Sequence, residues 1–431
     1  MGRLLCLLAL FPTSAFGATG YVVRVDSGLV YLDFNEKNGA APGRAFEVYT
    51  EGAQLKHPVT GKSLGRMENK IAEGTLQEIK EQYSIGKLSA QAPTVKPGMR
   101  ARLSAPPAQT DGQTPARAPR WKSPVFDYKI TGMAVANFAG DGKMTLALAD
   151  SKKVYLYSYP PQDPKPLAEF AQPGTAPRLL ALESADLNGN GKAELFVTLF
   201  NEVLGRLETS ILELNGNNWE KIAELPWAVR AHQNADGRAL LAVQQLVEDP
   251  TFPFSAIYPL VFNEGKYAAG KGAIRYKYVD WIYDFTQADF DGTPALLRFT
   301  NTHRLKLHFK RGSWATPEAY GQTPSRIRWQ GRLLEFHPPV PVGYQDKKRA
   351  AVYLVRNNSM LGSLSEPFGL FQNAEVQRKT WNGVSLSNDW KTDLGGYSTA
   401  LALVPDPAQP HDLAVAVVGS SGQSSLWIYD P

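Results

Sequence analysis

Cysteine is almost absent from this 431-residue chain: Cys6 is the only one, and it sits at the start of the first apolar run. If that run is a removable leader, the mature chain holds no disulfide and no thiol chemistry. A lipidated N-terminus is disfavoured too, because Leu5 stands where a small residue should precede the cysteine. Histidine is nearly as scarce. His57, His232, His303, His308, His337 and His411 form no HExxH or paired-ligand spacing, and there is no G-x-S-x-G elbow and no CxxCH haem site. Gly61-Lys62-Ser63 imitates the end of a phosphate-binding loop, yet the glycine required five positions before Gly61 is Lys56. No apolar stretch reaches the ~20 residues of a membrane-spanning helix. The net charge of +5 is too small to imply a nucleic-acid partner.

What is present starts with Met1-Gly2-Arg3, the apolar run Leu4 to Phe11, and the small-residue segment Thr13-Ser14-Ala15-Phe16-Gly17. This pattern predicts a secretory signal peptide over 1–17, cut after Gly17 with Ala15 at the −3 position. The expected location is therefore outside the cytoplasm: periplasmic, outer-membrane-associated or secreted. An exported chain without disulfides must hold itself by core burial, and 431 residues, 43% hydrophobic, suffice for that.

Residues 104–122 are rich in Pro and Ala, lack periodicity and read as a semi-extended linker. It separates a small β-domain, 18–103, from residues 123–431. In the small domain, Tyr21–Val25 and Leu29–Asp33 flank Asp26-Ser27-Gly28 as a hairpin. Gly39–Arg44 turns into Ala45–Tyr49, His57–Gly65 is a turn between two further strands, and Leu76–Ile79 pairs beyond it. This succession is similar to the small C-terminal β-domain of bacterial flagellar assembly protein T. The resemblance covers this domain alone, so it implies a bacterial envelope setting and not a flagellar role.

The most informative stretch lies in the larger part. Asp186, Asn188 and Asn190 place oxygens at alternate positions, Gly191 permits a reversal, and Glu194 closes the run before Leu195-Phe196-Val197-Thr198. A hard cation such as Ca²⁺ takes six to eight oxygens, which a tight loop of this kind supplies. An EF-hand would need a bidentate Glu at loop position 12, where this chain has Val197. The loop therefore joins two strands. Fainter copies precede other apolar strands: Asn137–Gly142, Asn234–Gly237, Asp289–Gly292, Gln345–Lys348 and Asp406–His411. The apolar strands begin near residues 145, 195, 239, 295, 350 and 413, a spacing typical of propellers and related arrays.

These loops and their spacing resemble FG-GAP or VCBS-type repeats, the blade units of integrin α-like β-propellers. The resemblance implies an all-β chain, in which the small N-terminal β-domain precedes a six- or seven-bladed β-propeller over 123–431. A seventh, degenerate blade would fall in the irregular 311–345 region. The last unit ends one strand short, so Val125–Ile130 is expected to complete it and close the ring. The resemblance also implies a structural Ca²⁺ held by Asp186, Asn188, Asn190, the Lys192 carbonyl and Glu194.

Charge adds one more signal. Arg275 and Lys277 alternate with Tyr276 and Tyr278, and Arg304, Lys306, His308 and Lys310 alternate with Leu305, Leu307 and Phe309. Both read as strands with one basic face. Such faces either guard a solvated sheet edge or meet an anionic glycan or lipid headgroup. His232 and His411 fall in or near blade loops and could converge on one propeller face. The tryptophans fit packing between blades better than sugar stacking. Two functional classes follow. One is an exported envelope protein that binds or scaffolds a protein or glycan partner. The other is a propeller hydrolase or lyase acting on extracellular polymers, with catalytic residues gathered from several blades.

Overall fold

The computed structural model describes residues 19–26, 28–35, 40, 42–56, 63–89, 95–104, 114–171, 177–233, 239–249, 251–345, 349–359, 370–404 and 411–430. The leader with Cys6, residues 105–113 of the 104–122 segment, His57 with Gly61 and Lys62, and the loops at 234–237, 346–348 and 406–410 lie outside them. All regular elements described are strands. Two compact units emerge, one of residues 1–113 with Gly312–Trp314, the other of the remainder.

In the first unit six strands form a closed barrel: β1 (Thr19–Asp26), β2 (Leu29–Leu32), β3 (Ala45–Lys56), β4 (Ser63–Ile79), β5 (Ser84–Leu88) and β6 (Arg100–Leu103). Their order is β1-β2-β5-β4-β3-β6, and the pairing of Thr19 with Arg102 joins β1 back to β6. Alternation carries Val22, Val30, Leu32, Phe46, Val48 and Leu76 into one core. Phe46 fills it against bare backbone. A Cβ on Gly74 would meet the Phe46 ring at 2.6 Å and one on Gly86 at 2.3 Å, so both positions require glycine.

The second unit holds six four-stranded antiparallel sheets. A short strand, β7 (Trp121–Lys122), comes first in the chain. Sheet one has β8 (Gly132–Ala136), β9 (Thr145–Ala149), β10 (Lys153–Ser158) and β11 (Ala168–Ala171). Sheet two has β12 (Pro177–Ala185), β13 (Glu194–Asn201), β14 (Arg206–Asn215) and β15 (Asn218–Leu225). Sheet three has β16 (Ala228–Gln233), β17 (Ala239–Gln244), β18 (Tyr258–Asn263) and β19 (Lys266–Ala269). Sheet four has β20 (Phe285–Phe290), β21 (Thr293–Phe299), β22 (Arg304–Phe309) and β23 (Ser313–Ala319). A lone hairpin follows, β24 (Arg326–Trp329) with β25 (Arg332–Glu335). Sheet five has β26 (Val342–Gln345), β27 (Arg349–Ser359), β28 (Phe371–Trp381) and β29 (Leu386–Asp393). Sheet six has β30 (Tyr397–Leu403), β31 (Leu413–Val418), β32 (Ser424–Tyr429) and, as its fourth strand, β7.

The first strands β8, β12, β16 and β20 neighbour one another in turn, β27 of sheet five lies against both β20 and β30, and β30 returns to β8, so the sheets are the blades of a closed propeller. Its core lies between blades. Leu195 and Val197 of sheet two pack with Ala147 and Leu156 of sheet one, and Val415 of sheet six packs with Tyr353 and Val376 of sheet five. Where a second strand is buried on both faces its apolar run is unbroken: Glu194–Phe200 and Leu413–Val418 are buried throughout. Buried polar groups staple blade to blade. The Asn357 amide donates to the Ser398 carbonyl at 2.9 Å, and the Thr399 hydroxyl donates to the Ile130 carbonyl at 2.7 Å.

Three expectations need correction. The 311–345 region contributes no seventh blade: β24 and β25 pair only with each other, because the chain between them and β26 carries no further strand to extend the sheet. The strand that closes the ring is Trp121–Lys122, paired with Ile428 and Trp427, and Phe126 adds a single bridge to Ser424. Beyond that bridge the chain bends, and the Ile130 amide donates to the Ser424 side-chain hydroxyl in place of a backbone ladder bond. Residues 275–278 are not a strand. After a single bridge at Ile274 the chain turns, with Tyr278 at φ 73. Only one of the two rings packs inward: Tyr276 lies against His232 and Phe285, whereas Tyr278 is exposed.

Candidate functional site

Within each blade the turns between first and second strands lie at one end, and the turns between second and third strands lie at the other. The Asp186–Glu194 loop belongs to the first end. Its oxygens are engaged by the loop itself. Asp186 Oδ1 and Oδ2 accept the amides of Gly189 and Gly191 at 2.8 and 3.0 Å, Asn188 Oδ1 accepts from Asn190, and Asn190 Oδ1 accepts from Lys192. Glu194 is fully buried. Its carboxylate accepts the amides of Leu187 and Asn188 and, at 2.6 Å, the hydroxyl of Tyr267 from the next blade. The Asn188 and Asn190 side-chain amides both donate to Glu213. Asp186, Asn188, Asn190 and Glu194 are thus tied into one turn by their side chains, Lys192 joins it through its amide, and Glu194 acts as a latch between blades two and three. Shorter Asx turns recur at the same place in blades one and four, where Gly140 donates to Asn137 and Gly292 to Asp289.

The opposite end holds a cavity of about 780 Å³. Its walls come from the segment entering β20 (Asp280, Trp281, Asp284), the β21–β22 turn with His303, and the β24–β25 hairpin with the residues after it. The hairpin is fixed over this end by apolar packing and directed bonds. Ile327 and Leu334 join the cluster of Trp281, Tyr283 and Phe254, the Trp281 indole donates to the Glu335 carbonyl at 2.8 Å, and the Ser325 hydroxyl donates to the Leu180 carbonyl. Its turn, Gln330-Gly331, has φ 46 and 82, the two positive values that suit a tight hairpin.

Into this cavity the chain aims groups of both signs. Arg298, Arg326 and Arg332 line it beside Asp280, Asp284 and Glu335. His337, 6% exposed, directs Nδ1 at Asp284 Oδ1 across 2.7 Å. A carboxylate cannot donate, so the imidazole carries its proton on Nδ1. His303 Nδ1 lies 3.5 Å from Glu335 Oε2, and His337 Nε2 lies 3.9 Å from the same oxygen. Arg326 approaches the other Glu335 oxygen at 3.5 Å. Arg298 donates to His308 at 3.2 Å, and Tyr278 stacks on His308 with centroids 4.6 Å apart. The basic face of β22 thus reaches the cavity through Arg298.

Neither His232 nor His411 lines this cavity. His232 is buried among Tyr276 and Phe285, where desolvation and then the charge of Arg230 pull it down to about 4 and keep it neutral. The histidines brought together are His303 and His337, 34 positions apart in the chain. The available signal was Glu335-Phe336-His337: in an extended segment, residues two apart share a face, which puts the carboxylate and the imidazole side by side.

No known family profile matches the chain. Over 88 residues it is 35% identical to an uncharacterized protein of Aquifex aeolicus (strain VF5), a match spanning 20% of this chain and 17% of that protein. Among solved structures it is similar to BBS1N, crystallised in complex with ARL6DN, with 11% identity over 73% of this chain and 97% of that one and a TM-score of 0.36. It is also similar to the exotype rhamnogalacturonan lyase YesX, covering 94% of this chain and 88% of that one with a TM-score of 0.32. The propeller assignment rests on the sheet order and closure described above. Among the described residues no helix is long and apolar enough to cross a membrane.

Proposed function

We propose that this is an exported bacterial envelope protein of FG-GAP or VCBS type whose propeller binds an acidic glycan in the cavity beneath the β24–β25 hairpin. The observation that carries the reading is the lining of that cavity. Three arginines stand beside the apolar rings of Trp281, Phe254 and Phe299, a combination that pairs carboxylates and covers sugar faces. Arg332 is the exposed member, held with its guanidinium 5.9 Å from the Phe254 ring centre. Calorimetry with uronic-acid oligosaccharides and their neutral counterparts tests the reading. Binding of the acidic series alone is expected, weakened by added salt and reduced about 10-fold or more in Arg332→Ala, in line with ~1.5–3 kcal/mol for a charged hydrogen bond. Equal affinity for neutral sugars, or none for either series, would reject it.

One observation favours a second reading as a hydrolase or lyase. His337, oriented by Asp284, faces Glu335, which is a histidine–carboxylate arrangement suited to moving a proton. Release of reducing ends or unsaturated products from acidic polysaccharides, abolished in His337→Gln, would select it over binding alone.

A structural Ca²⁺ at Asp186, Asn188, Asn190, the Lys192 carbonyl and Glu194 is part of the same proposal. The alternating oxygens support it, but Glu194 already spends its carboxylate on two amides and Tyr267. Affinity on the order of 10⁻⁴–10⁻³ M is expected. Asp186→Ala should abolish the calorimetric heat of Ca²⁺ binding. Calcium or no calcium, it should also cost about 1–2 kcal/mol in stability, because the Gly189 and Gly191 amides lose their acceptor. A stability loss without any Ca²⁺ heat in the wild type would leave the loop as a self-sufficient turn.

A further inference from the structure

His303, Glu335 and His337 each offer one ligand atom, and the three atoms lie within 4.8 Å of one another. The separations to Glu335 Oε2 are 3.5 Å from His303 Nδ1 and 3.9 Å from His337 Nε2. Ligands bound at about 2.1 Å in a tetrahedron stand about 3.4 Å apart. Both separations to Glu335 thus lie within about 0.5 Å of that spacing, and the three atoms together within 4.8 Å, a gap that side-chain rotation closes.

Three further features point the same way. His337 Nε2 is buried with no hydrogen-bond partner, while Nδ1 is committed to Asp284. With the proton on Nδ1, Nε2 presents a lone pair towards Glu335, the carboxylate–histidine arrangement that orients a metal ligand and raises its basicity. His303 sits at φ 58, a left-handed conformation unusual for a residue with a side chain. It is held there by Thr300, which accepts its amide at 2.8 Å, and by Tyr320 and Gly321, whose amides both donate to its carbonyl. Backbone strain maintained by surrounding bonds is the usual mark of a residue placed for use. Finally, Gly321 keeps the space before His337 open, since a Cβ there would stand 3.3 Å from Nε2 and 2.9 Å from the Phe299 ring.

We propose that His303, Glu335 and His337 bind a divalent first-row transition metal ion, with zinc the best fit to two imidazoles and one carboxylate. Three protein ligands leave a coordination position facing the cavity, as in sites where a metal meets a water or a ligand oxygen. Arg326 stands on the other oxygen of Glu335, so it holds the carboxylate in place without occupying the oxygen nearest the histidines. The inference goes beyond glycan binding and does not depend on it, because the ion is measured with no sugar present.

The test uses the full-length protein stripped with a chelator and titrated with Zn²⁺ against a competing chromophoric chelator, and with Co²⁺ for its visible ligand-field bands. One equivalent should bind, with Co²⁺ bands of a four- or five-coordinate ion and a raised melting temperature. Glu335→Gln keeps the shape of the side chain and should weaken binding at least 10-fold, as should His337→Ala. Asp284→Asn should weaken it about 10- to 100-fold through loss of the orienting bond. Glu169→Gln, on the fourth strand of blade one and outside every site described, should bind as the wild type does. Should His337→Ala fail to fold, the comparison of wild type with Glu335→Gln decides the matter. Absence of stoichiometric binding, or equal binding by wild type and Glu335→Gln, would overturn the site. Metal binding without glycan affinity would sink the glycan reading alone.

Discussion

Replacing residues 120–126 by a Gly/Ser segment of equal length is expected to lower the stability of the propeller by about 5 kcal/mol or more and to make it aggregate. The segment supplies the fourth strand of the last blade through Trp121 and Lys122, and its loss bares the edge of β32. Phe126 is 1% exposed and packs on Tyr128 and Tyr157, and truncating such a ring alone costs about 3–5 kcal/mol. Further bonds go with it: the Ser123 amide donates to the Leu426 carbonyl, the Leu426 amide to the Ser123 hydroxyl, and Arg120 pairs with Asp412 and Asp430. Calorimetry and light scattering should show a depressed second-unit transition followed by association. Phe126→Ala alone should reproduce more than half of the loss. If the replacement melts like the wild type, the ring is closed by packing between blades and not by this strand.

Arg230→Ala should cost about 3–5 kcal/mol, the range found when one partner of a buried ion pair is removed. Arg230 on β16 donates to Glu183 of β12 at 3.1 Å, both are less than a tenth exposed, and the guanidinium lies 5.3 Å from the centre of the Tyr283 ring. The pair thus ties blades two, three and four together. Burial pushes Glu183 from 4.5 up to about 7, against the pull of Arg230. An acid raised on folding takes up protons, so its contribution is full below about 4.5 and is lost as pH rises through about 7. Without Arg230 the carboxyl rises further, and the variant should lose most at pH 8 and least at pH 5, where Glu183 can be neutral. Denaturant melts at both pH values measure this, and adding Glu183→Gln should recover most of the stability at pH 8. A loss below 1 kcal/mol that is the same at both values would show that the pair contributes little.

The sequence was a good guide wherever local chemistry and burial agree. The second strands of blades two and six were legible because they are buried on both faces and apolar nearly throughout, as in Leu195–Phe200 and Leu413–Val418. The Asp186–Glu194 turn was legible because its bonds run between residues two to seven positions apart. First strands were harder to read. Glu183, Arg230 and Asn357 interrupt their apolar patterns, or those of their neighbours, to meet partners from other blades.

By itself, then, the sequence determined the all-β class, six core strands with a seventh blade left open, the turn chemistry of blades one, two and four, and the need for the chain near residue 125 to return to the last blade. The tertiary structure alone decided which strand closes that blade, because the choice between Trp121–Lys122 and Val125–Ile130 depends on where Ser424 and Leu426 lie across the ring. It also decided the site. Asp284, His303, Glu335 and His337 come from three separate connections, and nothing in their spacing reveals that the β24–β25 hairpin folds over one end of the propeller. That juxtaposition exists only because Ile327 and Leu334 bury themselves against Trp281 and Tyr283, a long-range packing preference that no local pattern encodes.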